Sequence, residues 1–204
     1  SVSNLVVQAS INSFGTAALA SWAALGKNGG FIWMVVSAFG IAVATFVGQN
    51  FGAQKYARVK RSIKVCLAMS LSTTIALSIL LLIFMGPLLQ FFTGDETVIE
   101  IGQRFFWVLA PSYFTYVFIE ILSGAIRGAG ESFQPMLITC FGVCGLRILW
   151  LTVVVNIWHT MDVVAMNYPV TWVIAAVVFI IYYCRMNWLR RCIKRAGFPM
   201  PEKV

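Results

Sequence analysis

Ser112–Gly130, SYFTYVFIEILSGAIRGAG, is the stretch whose reading decides the fold. It closes a run from Phe105 to Ile126 that is aromatic, aliphatic or small apart from a few hydroxyls, and Glu120 is the single charge in that run. About 20 residues of this character cross a hydrocarbon core of about 30 Å as a helix. A carboxylate inside such a helix is costly in lipid and marks the face turned to protein or water. Helical neighbours recur at i+3 and i+4, which puts Ser112, Tyr116, Glu120, Ser123 and Arg127 on one face. Glu120 thus belongs to a polar strip.

The rest of the chain has the same character. It is 204 residues long, 60% hydrophobic and 11% charged, with a mean hydropathy of +0.85. That much apolar surface does not fit inside one water-soluble core. Uncharged intervals run over 1–26, 28–54, 65–94, 132–146, 148–161 and 163–184. Six apolar segments follow: 1–20, 31–50, 63–84, 105–126, 136–158 and 163–184. No period-2 alternation of a membrane strand is present, so the spans are helices and the fold is an all-α polytopic membrane bundle. No linker divides the spans, so residues 1–204 read as a single bundle with a basic tail over 185–204. The start lacks an initiating Met, a basic region and a small-residue cleavage pattern; Ser1 therefore reads as a truncation point and not as a signal peptide.

Charge gives the spans a direction. Five basic residues between Lys55 and Lys64 follow the second span, Arg127 follows the fourth, and six between Arg185 and Lys203 follow the sixth. These twelve of the fifteen Lys and Arg residues fall on one side of an alternating path. By the positive-inside rule that side, with the C-terminus, is cytoplasmic, and the loop holding Asp95, Glu96 and Glu100 faces out. The expected location is the plasma membrane. The net charge of +8 is mostly this topological signal, so nucleic acid is not an expected partner. The five cysteines lie in or near apolar spans and read as free thiols, and Cys140 and Cys144 lack the His or acidic companions of a metal site.

Other helix faces carry polar stripes: Asn4, Gln8 and Asn12 on the first span, and Ser62, Cys66, Ser70, Thr74 and Ser78 on the third. Hydroxyl and small residues at this spacing commonly join helices, as do glycine pairs such as Gly48 with Gly52 and Gly124 with Gly128. Pro111 and Pro169 are candidate bends.

Three ordered segments are INSFGTAALASWAALGK from Ile11, FVGQNFGAQKYARVKRS from Phe46 and LSGAIRGAGESFQPM from Leu122. Together they resemble the multidrug and toxic compound extrusion (MATE) family, over nearly the whole chain. The resemblance implies one six-helix lobe, the second of the two in a twelve-helix transporter, with the start of its first helix missing. It also implies secondary active efflux of organic, often amphipathic and cationic, compounds by alternating access, driven by H⁺ or Na⁺. The implied partners are a lipid bilayer, a small-molecule substrate and the missing N-terminal lobe of the same chain; no cofactor or metal is implied. In the family's Na⁺-coupled branch an acid stands eight residues before the first glycine of the "GxxRG" stretch, here Gly124. This chain has Tyr116 there, with Glu120 one turn further on, so the resemblance does not carry that branch's cation site over.

Arg147, in GVCGLRILW, is the second charge placed inside a span. Counting ~1.5 Å per residue from the basic edge puts Glu120 about 10 Å deep and Arg147 about 18 Å deep. A difference of about 8 Å is nearly bridged by two long side chains, so two readings stand. Glu120 and Arg147 form a structural ion pair, or Glu120 carries a proton or a cation during transport. The candidate coupling or substrate-cavity residues are Glu120, Arg147, Tyr116, Asn4, Gln8 and Asn12. The rival functions are a lipid-linked saccharide flippase of the same superfamily, which needs several basic groups in its cavity, and an inactive isolated half. A channel lacks a filter-like loop. An enzyme lacks any nucleophile, base and orienting partner that the sequence brings together.

Overall fold

The computed structural model describes residues 2–200, apart from the side chains of residues 2, 3 and 28. Its helices in chain order are α1 (Val2–Asn12), α2 (Thr16–Gly52), α3 (Tyr56–Phe92), α4 (Glu96–Leu109), α5 (Tyr113–Gly128), α6 (Phe133–Ile157), α7 (Met161–Arg185) and α8 (Trp188–Arg195). A 3₁₀ turn, Ala110–Ser112, carries Pro111 and joins α4 to α5 into one span. Among the described residues five spans are long and apolar enough to cross a membrane: α2, α3, α4 with α5, α6, and α7.

The expected first span over 1–20 is two helices. Ser13 Oγ donates back to the Ser10 carbonyl and Phe14 N–H to the Ile11 carbonyl, and Gly15 then takes φ +99°, a backbone region that glycine enters without steric cost. The chain leaves α1 there, and α2 begins at Thr16, fifteen residues before the expected Phe31. The remaining spans overrun their apolar cores at both ends or nearly so. The fourth reaches back to Glu96, where Asp95 caps α4 by accepting from Thr97 N–H at 2.9 Å. Pro169 lies within an unbroken α7, whereas Pro111 does interrupt its helix. In α6 the backbone is π-helical at Cys140–Gly145 and Trp150–Val154, on either side of the turn that bears Arg147. Such bulges re-aim side chains and recur at functional sites.

Helix α5 is the centre of the bundle, packed against α2, α3 and α7. Phe105, Phe106, Ile121, Ile126, Trp172 and Phe179 are fully buried around it. The α2–α5 contact is made by glycine. A Cβ on Gly128 would lie 2.3 Å from the Ala44 carbonyl oxygen, and one on Gly124 would lie 2.7 Å from that of Gly40. Gly48 faces the Gly128 carbonyl, while Gly52 meets nothing within 4 Å, so only part of the expected Gly48–Gly52 pair contacts a helix. Ser70, Thr74 and Ser78 of α3 are buried in helix packing. The outer surface is apolar, with Phe31, Met34 and Ile41 of α2 and Ile79 and Ile83 of α3 exposed. A surface of that kind is stable in hydrocarbon and not in water.

The basic loops share one end of the bundle. There the end of α2, the α5–α6 connection and α8 meet, and part of the basic tail is helical. α8 buries Trp188, Leu189, Cys192 and Ile193 and turns its arginines outward; Lys203 and the rest of 201–204 lie outside the described residues. Glu131, buried in the α5–α6 loop, accepts from Arg195 Nη1 at 2.6 Å. At the other end Arg104 pairs with Asp162, and His159 stacks on Phe14 at 4.4 Å.

Burial pushes the Cys192 thiol up to about 11, and the neighbouring Glu131 carboxylate adds to the rise. The thiol therefore stays protonated at neutral pH and is a poor nucleophile. Glu131→Ala should unpair Arg195, loosen α8 and speed maleimide labelling of Cys192 by roughly tenfold or more, toward the reactivity of a free thiol of pKa about 8.5. An unchanged labelling rate would mean that the apolar face alone holds α8.

Candidate functional site

A cavity of about 410 Å³ opens within the bundle between α2, α5, α6 and α7, with Asn4 of α1 at its edge. One face of α5 forms its polar wall. Tyr116, Glu120, Ser123 and Arg127 all line it, as their i+3/i+4 spacing requires. Ser112, at the head of the same stripe, is buried and donates to the Leu109 carbonyl instead.

Glu120 has two partners. Tyr116 OH donates to Oε2 at 3.2 Å, and Arg127 Nη2 stands 3.6 Å from Oε1. Behind it is Gly40 of α2, where a Cβ would sit 2.7 Å from both Glu120 Cγ and Oε1. Glycine at position 40 is what makes room for the carboxylate. The expected Glu120–Arg147 ion pair is absent among the described residues. Arg127, seven residues along the same helix, is two turns away on the same face, and its guanidinium folds back from the basic end to take that place. Arg147 is 5% exposed and is held elsewhere: Nη1 donates to Asn4 Oδ1 at 2.9 Å, and the guanidinium lies over the Tyr168 ring at 4.2 Å. Its Nε has no hydrogen-bond partner among the described residues. Both charges nonetheless face the same cavity.

Beside Tyr116 the cavity wall is aromatic. Trp33 of α2 packs on Tyr116 at 4.2 Å and on Trp172 at 5.5 Å, and Trp172 meets Tyr168 at 5.4 Å. Ring faces beside a carboxylate suit an organic cation, which gains from the ring quadrupole as well as from the charge. Sequence reasoning missed Trp33, Tyr168 and Trp172, as well as Gly40. The only signal was the i+4 spacing of Tyr168 and Trp172, which many membrane helices share. Of the α1 stripe only Asn4 reaches the cavity; Gln8 and Asn12 are exposed away from it. Each i+4 step overshoots a full turn by about 40°, so Asn12 has rotated well away from Asn4. Among the described residues no cluster of His, Cys, Asp or Glu could hold a metal ion.

The MatE family model matches residues 1–153. The chain belongs to the MatE family. It is 23% identical over 197 residues to the "Probable multidrug resistance protein YoeA" of Bacillus subtilis, covering 96% of this chain and 42% of that protein. To the "Probable multidrug resistance protein NorM" of Thermotoga maritima it is 31% identical over 113 residues, covering 54% of this chain and 24% of the relative. The solved structure of a MOP superfamily transporter from Pyrococcus furiosus superposes with a TM-score of 0.82 at 18% identity, over 96% of this chain and 47% of that one. The chain thus spans less than half the length of the relatives it matches. The MatE fold of the bundle agrees with the helical membrane architecture expected from the uncharged runs, and these relatives are named for drug resistance or transport and not for an enzymatic reaction.

Proposed function

We propose that this MatE chain is one lobe of a secondary active antiporter that exports amphipathic organic cations, with Glu120 as the group that exchanges substrate for H⁺ or Na⁺. The observation that carries the proposal is the setting of Glu120: a carboxylate in an aromatic-walled cavity whose counter-charge is a tethered guanidinium. Arg127 acts there as a stand-in cation. Its side chain is half exposed and its contact with Glu120 is long, at 3.6 Å, so a bound cation or a proton displaces it without breaking a tight pair. An N-terminal lobe of the same protein completes the translocation path, and rocking of the two lobes exposes the cavity to each side in turn. The basic end lies in the cytoplasm of a plasma membrane, in keeping with the positive-inside rule.

The test is ethidium export from proteoliposomes under an imposed pH or Na⁺ gradient, with the chain reconstituted alone and together with the lobe that precedes it in its reading frame. Export that needs both lobes and one of the gradients is the expected result. Export without any gradient, or by the chain alone, would sink the proposal. A second reading is favoured by one observation: the cavity holds two guanidiniums, those of Arg127 and Arg147, against one carboxylate. That balance suits an anionic amphiphile such as a lipid-linked phosphate. Transport of an anionic dye in place of ethidium would select it.

A further inference from the structure

A second cavity, of about 550 Å³, lies between α2 and α3 at the basic end and belongs to neither reading above. On α3 it is lined by Arg58, Arg61, Val65 and Met69, which recur at the spacing of one helix face, and on α2 by Phe39 and Phe46, two turns apart. Cys66 Sγ reaches the Phe39 carbonyl at 3.6 Å and closes its floor. Val65, Met69 and Phe46 are about half exposed, so the groove is open along its length. From Arg58 to Met69 is eleven residues, or about 16 Å of helix. That is roughly half of a hydrocarbon core of about 30 Å, the depth of one leaflet.

The charge at the mouth of the groove is unbalanced. Among the described residues neither Arg58 nor Arg61 has a carboxylate within ion-pair distance. Of the described acids nearest this end, Glu120 is held by Arg127 and Glu131 by Arg195. Two free guanidiniums with an apolar trough below them, one leaflet deep, match one ligand chemistry. Arginine binds a phosphate through paired N–H donors, and the trough takes an acyl chain. Basic pockets between membrane helices hold anionic headgroups in this way. We infer that the α2–α3 groove is a binding site for an anionic phospholipid of the adjoining leaflet, its phosphate on Arg58 and Arg61 and one chain against Phe39, Phe46, Val65 and Met69.

Native mass spectrometry of the protein purified with both lobes, with added phosphatidylglycerol or phosphatidylcholine, tests this. Wild type should retain phosphatidylglycerol in preference to phosphatidylcholine. Arg58→Gln with Arg61→Gln should weaken phosphatidylglycerol retention at least about tenfold, as expected for two lost charge-assisted contacts, and leave phosphatidylcholine unchanged. Val65→Trp, which fills the trough and keeps both arginines, should weaken it too. Arg190→Gln with Arg191→Gln, on the outer face of α8, should have little effect. Equal retention of the two lipids, or equal loss from the α3 and α8 pairs, would reduce the site to general surface charge and overturn the inference. A dimer without lipid, lost on the Arg58 and Arg61 changes, would overturn it as well by making a second copy the occupant.

Discussion

Glu120→Gln is expected to abolish the gradient dependence of ethidium export and to leave the bundle folded. Glutamine keeps the shape that fits against Gly40, and its carbonyl still accepts from Tyr116. What it removes is the negative charge. Arg127 then has no counter-ion in the cavity, and its half-exposed side chain is free to move to the basic end. A carboxamide cannot take up or release a proton at ordinary pH, nor does it hold Na⁺ or an organic cation with comparable strength in a low-dielectric site. Coupling free energies between sites are about 1–3 kcal/mol, so the change in ethidium affinity that the coupling ion produces, about 5- to 150-fold, should be lost. The measurement is initial ethidium efflux with and without the gradient, with thermal stability by size-exclusion chromatography as the folding control. Arg127→Gln should act in the opposite direction on binding: with the tethered cation gone, Glu120 is vacant and ethidium should bind more tightly. If Arg127→Gln weakens binding and strengthens nothing, the guanidiniums are the ligand's partners and the anionic reading stands. Should Glu120→Gln leave the gradient dependence intact, coupling resides elsewhere in the protein.

The polar face of α5 was legible from spacing alone. Tyr116, Glu120, Ser123 and Arg127 follow the helical period, and all four reach the cavity. The partner of Glu120 was not legible by counting depth. Depth along two separate helices says nothing about their rotation, so a gap of about 8 Å that two long side chains nearly span was a poor guide to Arg147 as the partner. The i+7 relation of Arg127 to Glu120 lay within a single helix and required no tertiary knowledge. Gly40 was illegible for a related reason: its role is to leave space for a side chain on another helix, and nothing in its own neighbourhood marks that. Helix α8 was hidden by its charge. A basic run after the last span reads as a solvated tail, although Trp188, Leu189, Cys192 and Ile193 repeat at i, i+1, i+4 and i+5 and form an apolar stripe that the bundle buries. The α3 groove likewise combines two features that are ordinary when taken singly, a positive-inside cluster and a lipid-facing helix, and its meaning comes from their meeting along one line.

The largest effect on stability is expected from Gly128→Ala. In a bilayer, helices do not gain from burying apolar surface against one another as they do in water, because lipid is equally apolar; close packing and polar contacts hold them instead. At the α2–α5 crossing that packing is backbone on backbone. The added methyl of alanine would stand 2.3 Å from the Ala44 carbonyl oxygen and 3.0 Å from its Cα, and neither atom can rotate away. Helix α5 must therefore shift against α2, at a cost of about 1–3 kcal/mol, as for other overpacked sites. For a chain of this size that corresponds to about 2–4 °C in Tm for each kcal/mol. Gly52→Ala is the matched control, since nothing lies within 4 Å of the added group, and its Tm should be unchanged or slightly raised. Equal effects at the two positions would mean that helix propensity, and not the close crossing, governs the glycines of this bundle. The same shift reaches the cavity, because Glu120 rests against Gly40 on the crossing that Gly128 sets. Gly128→Ala should accordingly alter ethidium binding from some 12 Å away along α5, and a change in Tm without a change in binding would separate the helix crossing from the site.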